Sequence, residues 1–246
     1  KEGKEAMYDM KALYEATSVE NAIELRLEHP EAQIIAGGTD VLVQMREGKR
    51  AGKELISIQA LDEIRGICLD ENEAIRIGSL TTFSHITHNP IIQKYINVLG
   101  EAVDMVGGPQ IRNAGTIGGN TCNGVTSADS ASTLHAWEAI IELTGKNGKR
   151  YLPIKDFYIK AGTVDINVAD GEIQTAIIIP KESYDRTAGF YIKYAMRNAM
   201  DIATTGCSVN CRLSEDKKTF ERVRIAYGVA GPVPMRVPSA ESFING

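Results

Sequence analysis

Apolar positions recur at helical spacing in some stretches and alternate or run together in others. TSVENAIELRLEH (17–29) opens with Thr17 or Ser18 ahead of Glu20 or Asn21, a capping box, and predicts a helix ending near Pro30. Gln33 to Ala36 predicts a short buried strand, Gly37-Gly38 a turn, and Thr39 or Asp40 the N-cap of a helix reaching about Gly48. Leu55 to Ile58 reads as a strand, and LDEIRGICL followed by AIRIGSL as a strand pair turning at Asp70 to Glu73. Thr81 to His85 caps a short helix stopped by Pro90, and residues 91–106 are again apolar at helical spacing. SASTLHAWEAIIELTG carries the only tryptophan, Trp137, on a helix or a strand. IIELTG and RYLPI then flank a hairpin turn at Asn147-Gly148. Further strands are predicted from Glu172 to Pro180, from Gly189 (GFYIKYAMR), and in TTGCSVNCRL and RVRIAYGVA, the last two joined by SEDKKTFE with Lys217 and Lys218 at its tip. PSAESFING begins like a helix. Sheets with flanking helices predict an α+β protein.

Composition narrows the partners. At 246 residues the chain can bury a real core in one domain or two, and its net charge of -5 without a Lys/Arg block directs attention away from nucleic acid, toward small molecules or proteins. The absence of 18 consecutive apolar residues excludes a membrane-spanning helix, and the N-terminus has no signal-peptide apolar region, so a cytoplasmic location is expected. KEGKEA, before Met7, is set aside and Met7 is read as the natural start. Cys68, Cys122, Cys207 and Cys211 are scattered and are expected to be buried, reduced thiols; Cys207 and Cys211 share a strand face, but no second pair completes a metal site. His85 and His88 lack ligand partners at useful spacing and read as surface or cap residues, and His135 as core-facing.

Candidate chemistry concentrates in PQIRNAGTIGGNTCNGVTSAD, Pro109 to Asp129, which holds Gly115, Gly118, Gly119 and Gly124 and follows Gly107 and Gly108. Glycine admits positive φ and close backbone approach, and Thr116, Asn120, Asn123, Thr126 and Ser127 add hydroxyls and amides. Backbone N–H groups in such a run can form an anion-binding concavity without a lysine, although taken alone the run also fits a surface loop. A second element, the strand that breaks on Gly37-Gly38 into a helix, aims free amides and the positive end of a helix dipole at one point. Neither element is G-x-G-x-x-G, and neither carries the G-K-[ST] of a Walker loop.

AGGTD at 36–40 and TIGGN at 116–120, in order with IRN at 111–113, SADSAS at 127–132 and FYIKYAMRNAMDIA at 190–203, resemble the FAD-binding subunit of a xanthine dehydrogenase-type molybdenum hydroxylase. CO dehydrogenase medium subunits and nicotinate dehydrogenase flavoprotein subunits are similar. The resemblance runs essentially from Met7 to the end. It implies a two-subdomain FAD-binding fold of the PCMH/vanillyl-alcohol oxidase type, with subdomain 1 at 7–58 and subdomain 2 at 59–183. A C-terminal α+β flavoprotein domain at 184–246 would follow, incomplete because the family's domain runs on further. It also implies that Gln33, Ile34, Ile35, Ala36, Gly37, Gly38, Thr39 and Asp40 in a first loop, and Thr116, Ile117, Gly118, Gly119 and Asn120 in a second, hold the FAD pyrophosphate. Asp129 would lie near the ribose end, Lys193 close to the flavin and Ile173 near the ring system. Two sets of preorganised amides would face the phosphates, and a β-carbon at these glycines would crowd them.

In such an assembly a molybdopterin-binding subunit hydroxylates the substrate with water, an iron–sulfur subunit carries the electrons, and FAD passes them to NAD or another acceptor. MDIA at 200–203 and TCNG at 121–124 resemble bacterial xanthine dehydrogenase flavoproteins and imply NAD. No acid–base catalyst and no metal ligand are expected on this chain, whose part is to position the flavin and tune its potential. The first loop holds no histidine or cysteine, which implies a non-covalent flavin; Cys122 stands just past the second loop. A non-redox nucleotide-binding or assembly module of the same fold is the alternative, and a self-contained flavin oxidase a third reading.

Overall fold

A computed structural model describes residues 8–244; KEGKEA and the start at Met7 lie outside the described residues. The chain forms an α+β fold. Its first part is a parallel sheet in the order β1 (Met10–Glu15), β3 (Lys53–Ser57), β2 (Gln33–Ile35). Helix α1 (Val19–Glu28) links β1 to β2. Of its two candidate caps Ser18 is used: Ser18 Oγ accepts from Asn21 N–H at 3.1 Å, and Asn21 Oδ1 accepts in return from Thr17 N–H at 3.2 Å. Val19, Ala22 and Ile23 of α1 bury against Ile58, Leu61, Ile64, Leu80 and Ile173 in a small core of their own. Helix α2 (Val41–Arg46) begins at Asp40, whose side chain makes no cap bond because it accepts from Gln44 Nε2 at 2.5 Å. Strand β1 carries no clear alternation and was not anticipated.

The second sheet is antiparallel, in the order β4 (Ile67–Leu69), β5 (Ile75–Gly78), β10 (Ile173–Ile179), β6 (Ile140–Gly145), β7 (Gly148–Pro153). Asp70 Oδ1 closes the β4–β5 turn by accepting from Asn72 and Ala74 N–H, both at 2.8 Å. Between β5 and β6 the chain inserts α3 (Phe83–His88), α4 (Pro90–Tyr95), α5 (Asn97–Asp104), α6 (Pro109–Ala114), α7 (Ile117–Cys122) and α8 (Asp129–Ala136). Pro90 starts a helix as well as ending one, since Asn89 caps α4 with Pro90 in its first turn. The apolar run 91–106 is two helices, because the backbone leaves the helical region at Ile96 (φ -150°, ψ 51°). Trp137 follows α8 directly and is fully buried in the main core, which also holds Ile141, Phe157 and Tyr191. In the β6–β7 hairpin the two loop residues are Lys146 and Asn147, and Gly148 takes the positive φ of 100°. After β7 come α9 (Ile154–Phe157), the small hairpin β8 (Tyr158–Lys160) and β9 (Thr163–Val164), and, beyond β10, α10 (Lys181–Tyr184).

The third sheet, also antiparallel, runs β11 (Thr187–Tyr194), β12 (Thr205–Leu213), β13 (Phe220–Gly228), β14 (Met235–Arg236), and α11 (Pro238–Ile244) packs against β13. Helix α8 joins the sheets, packing against β12 and β13 while Ser132 and Thr133 bond Ser208 Oγ at 3.1 and 2.7 Å. The cysteine expectation is corrected in part. All four are free, but Cys68 is exposed and the others are half-buried, because an outward strand position on the third sheet keeps Cys207 and Cys211 from closing over. His135 is buried, its Nδ1 bonds Ala131 O at 2.8 Å, and burial lowers its pKa to about 4. His85 and His88 are exposed on α3. Among the described residues no helix is long and apolar enough to cross a membrane.

Candidate cofactor-binding cleft

The glycine-rich run Pro109 to Asp129 is largely helical, not a loop, and its position is set by backbone bonds to a distant segment. Phe83 N–H donates to Gly115 O at 3.1 Å, Ile117 N–H to Thr81 O at 3.0 Å and Gly118 N–H to Ser79 O at 2.9 Å. These bonds lay α7 alongside residues 79–83. The first loop then closes on the α6–α7 junction so tightly that a β-carbon on Gly37 would stand 1.8 Å from Ala114 O. Between the loop, α1, α7 and the start of β10 lies a cleft of about 450 Å³, within the usual range for small-molecule sites.

An account of the N–H groups separates the two glycine elements. Among the described residues no protein acceptor takes the N–H of Gly37, Gly38, Thr39, Asp40 or Val41. Five donors in sequence, on residues that line the cleft, are therefore open, and such groups require a partner. In the second element every N–H from Ile117 to Asn120 is already spent: on Thr81 O, on Ser79 O, on Thr116 Oγ1 at 3.1 Å and on Thr116 O. The backbone bonds that seat α7 thus engage the N–H groups of the second element, while those of the first remain open. The glycines differ likewise. A β-carbon on Gly118 would meet Ser79 Cβ at 2.5 Å and Ser79 O at 2.7 Å, so its absence serves packing within the protein. Gly38 holds φ at +73°, which glycine adopts without strain.

Charge and unpartnered polar atoms complete the site. The residues lining the cleft include two cations, Arg26 and Arg50, and one acid, Asp40, which is engaged by Gln44. Gln44 also accepts from Arg50 Nε at 2.5 Å, so Asp40, Gln44 and Arg50 form a relay behind the first loop. Ser79 Oγ, Gln174 Nε2 and Arg26 Nε line the cleft buried and without partners. Phe83, Val106, Ile111 and Ile173 supply apolar wall. Open amides, cations, orphaned polar atoms and apolar surface lining one cleft suit a ligand with both anionic and aromatic parts. Cys122 also lines the cleft, but burial pushes its thiol up to about 12, so it is neutral and unsuited to a covalent flavin link.

Of the residues singled out in the sequence, Gln33, Ile34, the run 36–40, Thr116, Gly118, Gly119, Asn120 and Ile173 line this cleft. Ile35 does not, and Ile117 turns wholly into the main core. Asp129 and Lys193 form a cluster of their own: Lys193 Nζ lies 2.9 Å from Asp129 Oδ2 and 3.0 Å from Met105 O, and Tyr191 donates to Asp129 Oδ1 at 2.7 Å. Burial raises the Asp129 carboxyl against the pull of Tyr191 and Lys193. Arg26, Ser79 and Gln174 were missed. Arg26 and Gln174 leave a trace in the sequence, as polar residues at positions where the α1 and β10 patterns call for apolar ones; Ser79 leaves none.

Comparison with known proteins gives the family. The pattern of the family described as FAD binding domain in molybdopterin dehydrogenase matches residues 7–182, and that of the CO dehydrogenase flavoprotein C-terminal domain matches 190–246. The chain is 40% identical over 235 residues to the xanthine dehydrogenase FAD-binding subunit of Escherichia coli O157:H7, covering 96% of this chain and 79% of that one. It is 31% identical over 214 residues to the nicotinate dehydrogenase FAD-subunit of Eubacterium barkeri, covering 87% and 71%. A solved structure of carbon monoxide dehydrogenase from Hydrogenophaga pseudoflava superposes with a TM-score of 0.89 at 29% identity, over 96% of this chain and 80% of that chain.

Proposed function

The chain belongs to the family of FAD-binding subunits of molybdopterin dehydrogenases, and on that premise we propose that it holds FAD in the cleft beside α7, takes electrons from iron–sulfur clusters of one partner subunit and delivers them to NAD. A molybdopterin-binding subunit would carry out the hydroxylation. The observation that carries the reading is the row of unpartnered amides from Gly37 to Val41, all on residues that line the cleft. Such a row suits a pyrophosphate, which brings two charges and several acceptor oxygens to one place.

When bound, FAD supplies one- and two-electron transfer, chemistry that no side chain provides. The chain's residues bind and orient. Thr116 and Asn120 line the cleft and would lie on the phosphate's side of it, and Ser130 Oγ donates to Asn120 Oδ1 at 2.6 Å, which fixes that amide. The apolar wall of Phe83, Val106, Ile111 and Ile173 would exclude water from the ring systems. Lys193 and Asp129, at 9% and 7% side-chain exposure, form a buried ion pair that ties β11 to the N-terminus of α8 and so sets the third sheet against the cleft. Four free thiols suit a reducing compartment, and a cytoplasmic location is part of the reading.

The test is to mix the FAD-loaded protein with NADH anaerobically and follow the flavin absorbance. Bleaching supports electron exchange with NAD. FAD binding with no bleaching points to another acceptor or to a non-redox binding module, and a chain that binds no FAD ends the proposal.

A further inference from the structure

Trp137, the chain's only tryptophan, stands where α8 ends, with its ring laid against the third sheet. The contact is close. A β-carbon on Gly189 of β11 would meet Trp137 Cη2 at 2.2 Å and Cζ2 at 2.8 Å, so the missing side chain is what lets the ring reach the strand. The indole Nε1–H, across one ring carbon from Cζ2, is buried and has no acceptor in the protein.

Gly189, Asn210 and Arg224 form one rank across β11, β12 and β13. Residues directly opposed on neighbouring strands share a face, with Cα atoms about 4.5–5.5 Å apart. Asn210 lies two residues beyond Ser208, which bonds Ser132 and Thr133, so this rank faces α8 and Trp137. Asn210 is fully buried. Its Nδ2 donates to Ser183 O at 2.9 Å, which fixes the carboxamide and leaves Oδ1 an acceptor without a donor. The Arg224 side chain is 7% exposed, and Nη2 pairs with Glu138, the residue after Trp137 in the chain. That pairing holds the guanidinium beside the end of α8, yet Nη1 has no acceptor. Glu138 cannot serve it, because its other oxygen is taken by Arg236 at 2.9 Å. Burial pushes the Arg224 guanidinium down to about 10 against the pull of Glu138.

Two buried donors and one buried acceptor therefore converge without protein partners, and groups left so are costly. Their roles are complementary, which selects the ligand. A halide would accept from both donors but would set a negative charge against Asn210 Oδ1 and the Glu138 carboxylate. A cation is repelled by Arg224. Water alone both accepts and donates, and a buried water typically makes about three such bonds.

We propose that Trp137 Nε1, Asn210 Oδ1 and Arg224 Nη1 form the binding site of one buried water molecule, which accepts from the indole and the guanidinium and donates to the carboxamide. With Asn210 Nδ2 on Ser183, this water joins the end of α8 to β12, β13 and α10. The opposite end of α8 is held to β11 by Asp129 and Lys193. The helix is thus fastened to the third sheet at both ends, by an ion pair at one and by hydrogen-bonded water at the other.

The experiment has two parts on the unmodified chain. A crystal structure, with a second crystal soaked in bromide, should show a water oxygen within about 3.2 Å of all three atoms and no anomalous bromide signal there. In solution the single tryptophan gives a single indole N–H resonance, which should show a cross-peak to a long-lived water by NMR. Asn210→Leu should lose that cross-peak. Bromide in the site, Trp137 Nε1 bonded directly to Asn210 Oδ1, or an indole resonance without a water cross-peak would each overturn the proposal. So would a folded Asn210→Leu chain that keeps the cross-peak.

Discussion

Gly37→Ala tests whether the two glycine elements work as one clamp. A β-carbon at this position would lie 1.8 Å from Ala114 O and 2.6 Å from Ala114 C, both backbone atoms that no rotamer change can move. Reaching an ordinary contact of about 3.4 Å requires the first loop and the α6–α7 junction to part by about 1.6 Å. Overpacking of this kind costs about 1–3 kcal/mol, and the rigid neighbour places it at the upper end. Hydrogen bonds from amide to phosphate tolerate little displacement, and those to charged acceptors are worth about 1.5–3 kcal/mol each. Losing one lowers FAD affinity by about 10- to 150-fold. Gly48→Ala is the control, since nothing lies within 4 Å of a β-carbon there, although its φ of +78° strains an alanine. It should cost some stability and leave FAD binding alone. The assay is FAD titration followed by flavin fluorescence, with thermal unfolding of the ligand-free proteins. A Gly37→Ala protein that melts normally and binds FAD within about two-fold of the original would refute the clamp.

Other outcomes follow from buried charge. Burial alone would raise the Glu142 carboxyl, but Arg76, the Thr175 hydroxyl and Lys149 together hold it at about 2. Its folded pKa lies below the ordinary 4.5, so its contribution, at most about 3 kcal/mol, is present above pH 4.5 and lost as pH falls toward 2. Urea midpoints between pH 6 and 3 should fall for the original chain and flatten in Glu142→Gln. Lys193→Met leaves the Asp129 carboxylate, 7% exposed, with Tyr191 alone, and should cost about 3 kcal/mol at pH 7, largely recovered in the double variant with Asp129→Asn; denaturant unfolding of the four proteins measures the coupling. With iodoacetamide at pH 8 and peptide mass spectrometry, Cys68 should be alkylated quickly in the folded chain and Cys122 only after unfolding, because the first is exposed and the second is a neutral thiol.

Where local chemistry decides the structure, the sequence was readable. Ser18 and Asn21 announce α1, Asp70 announces the β4–β5 turn, and alternation along TTGCSVNCRL announces β12. The glycine pairs line one cleft, as a pair of cooperating elements would, but the role of each glycine did not show. Gly118 is small because α7 must approach Ser79, and Gly37 because it must approach Ala114; both are contacts between segments far apart in the chain. The same contacts spend the amides of α7, which is why the second element frames the cleft while the first offers open donors. Asp129 and Lys193 could be picked out by resemblance, yet their pairing across α8 and β11 depends on how the third sheet meets the helix layer. Arg26 and Gln174 were visible as breaks in apolar patterns, a signal that becomes meaningful once the cleft shows what they face.

The most direct test of the account is a crystal structure of the chain with FAD bound. The account predicts pyrophosphate oxygens within about 3.2 Å of the N–H groups between Gly37 and Val41, and no phosphate contact to the N–H groups of Ile117 or Gly118, which stay bonded to Thr81 and Ser79. A pyrophosphate seated anywhere other than on the first loop, or α7 released from Ser79 to receive it, would contradict it.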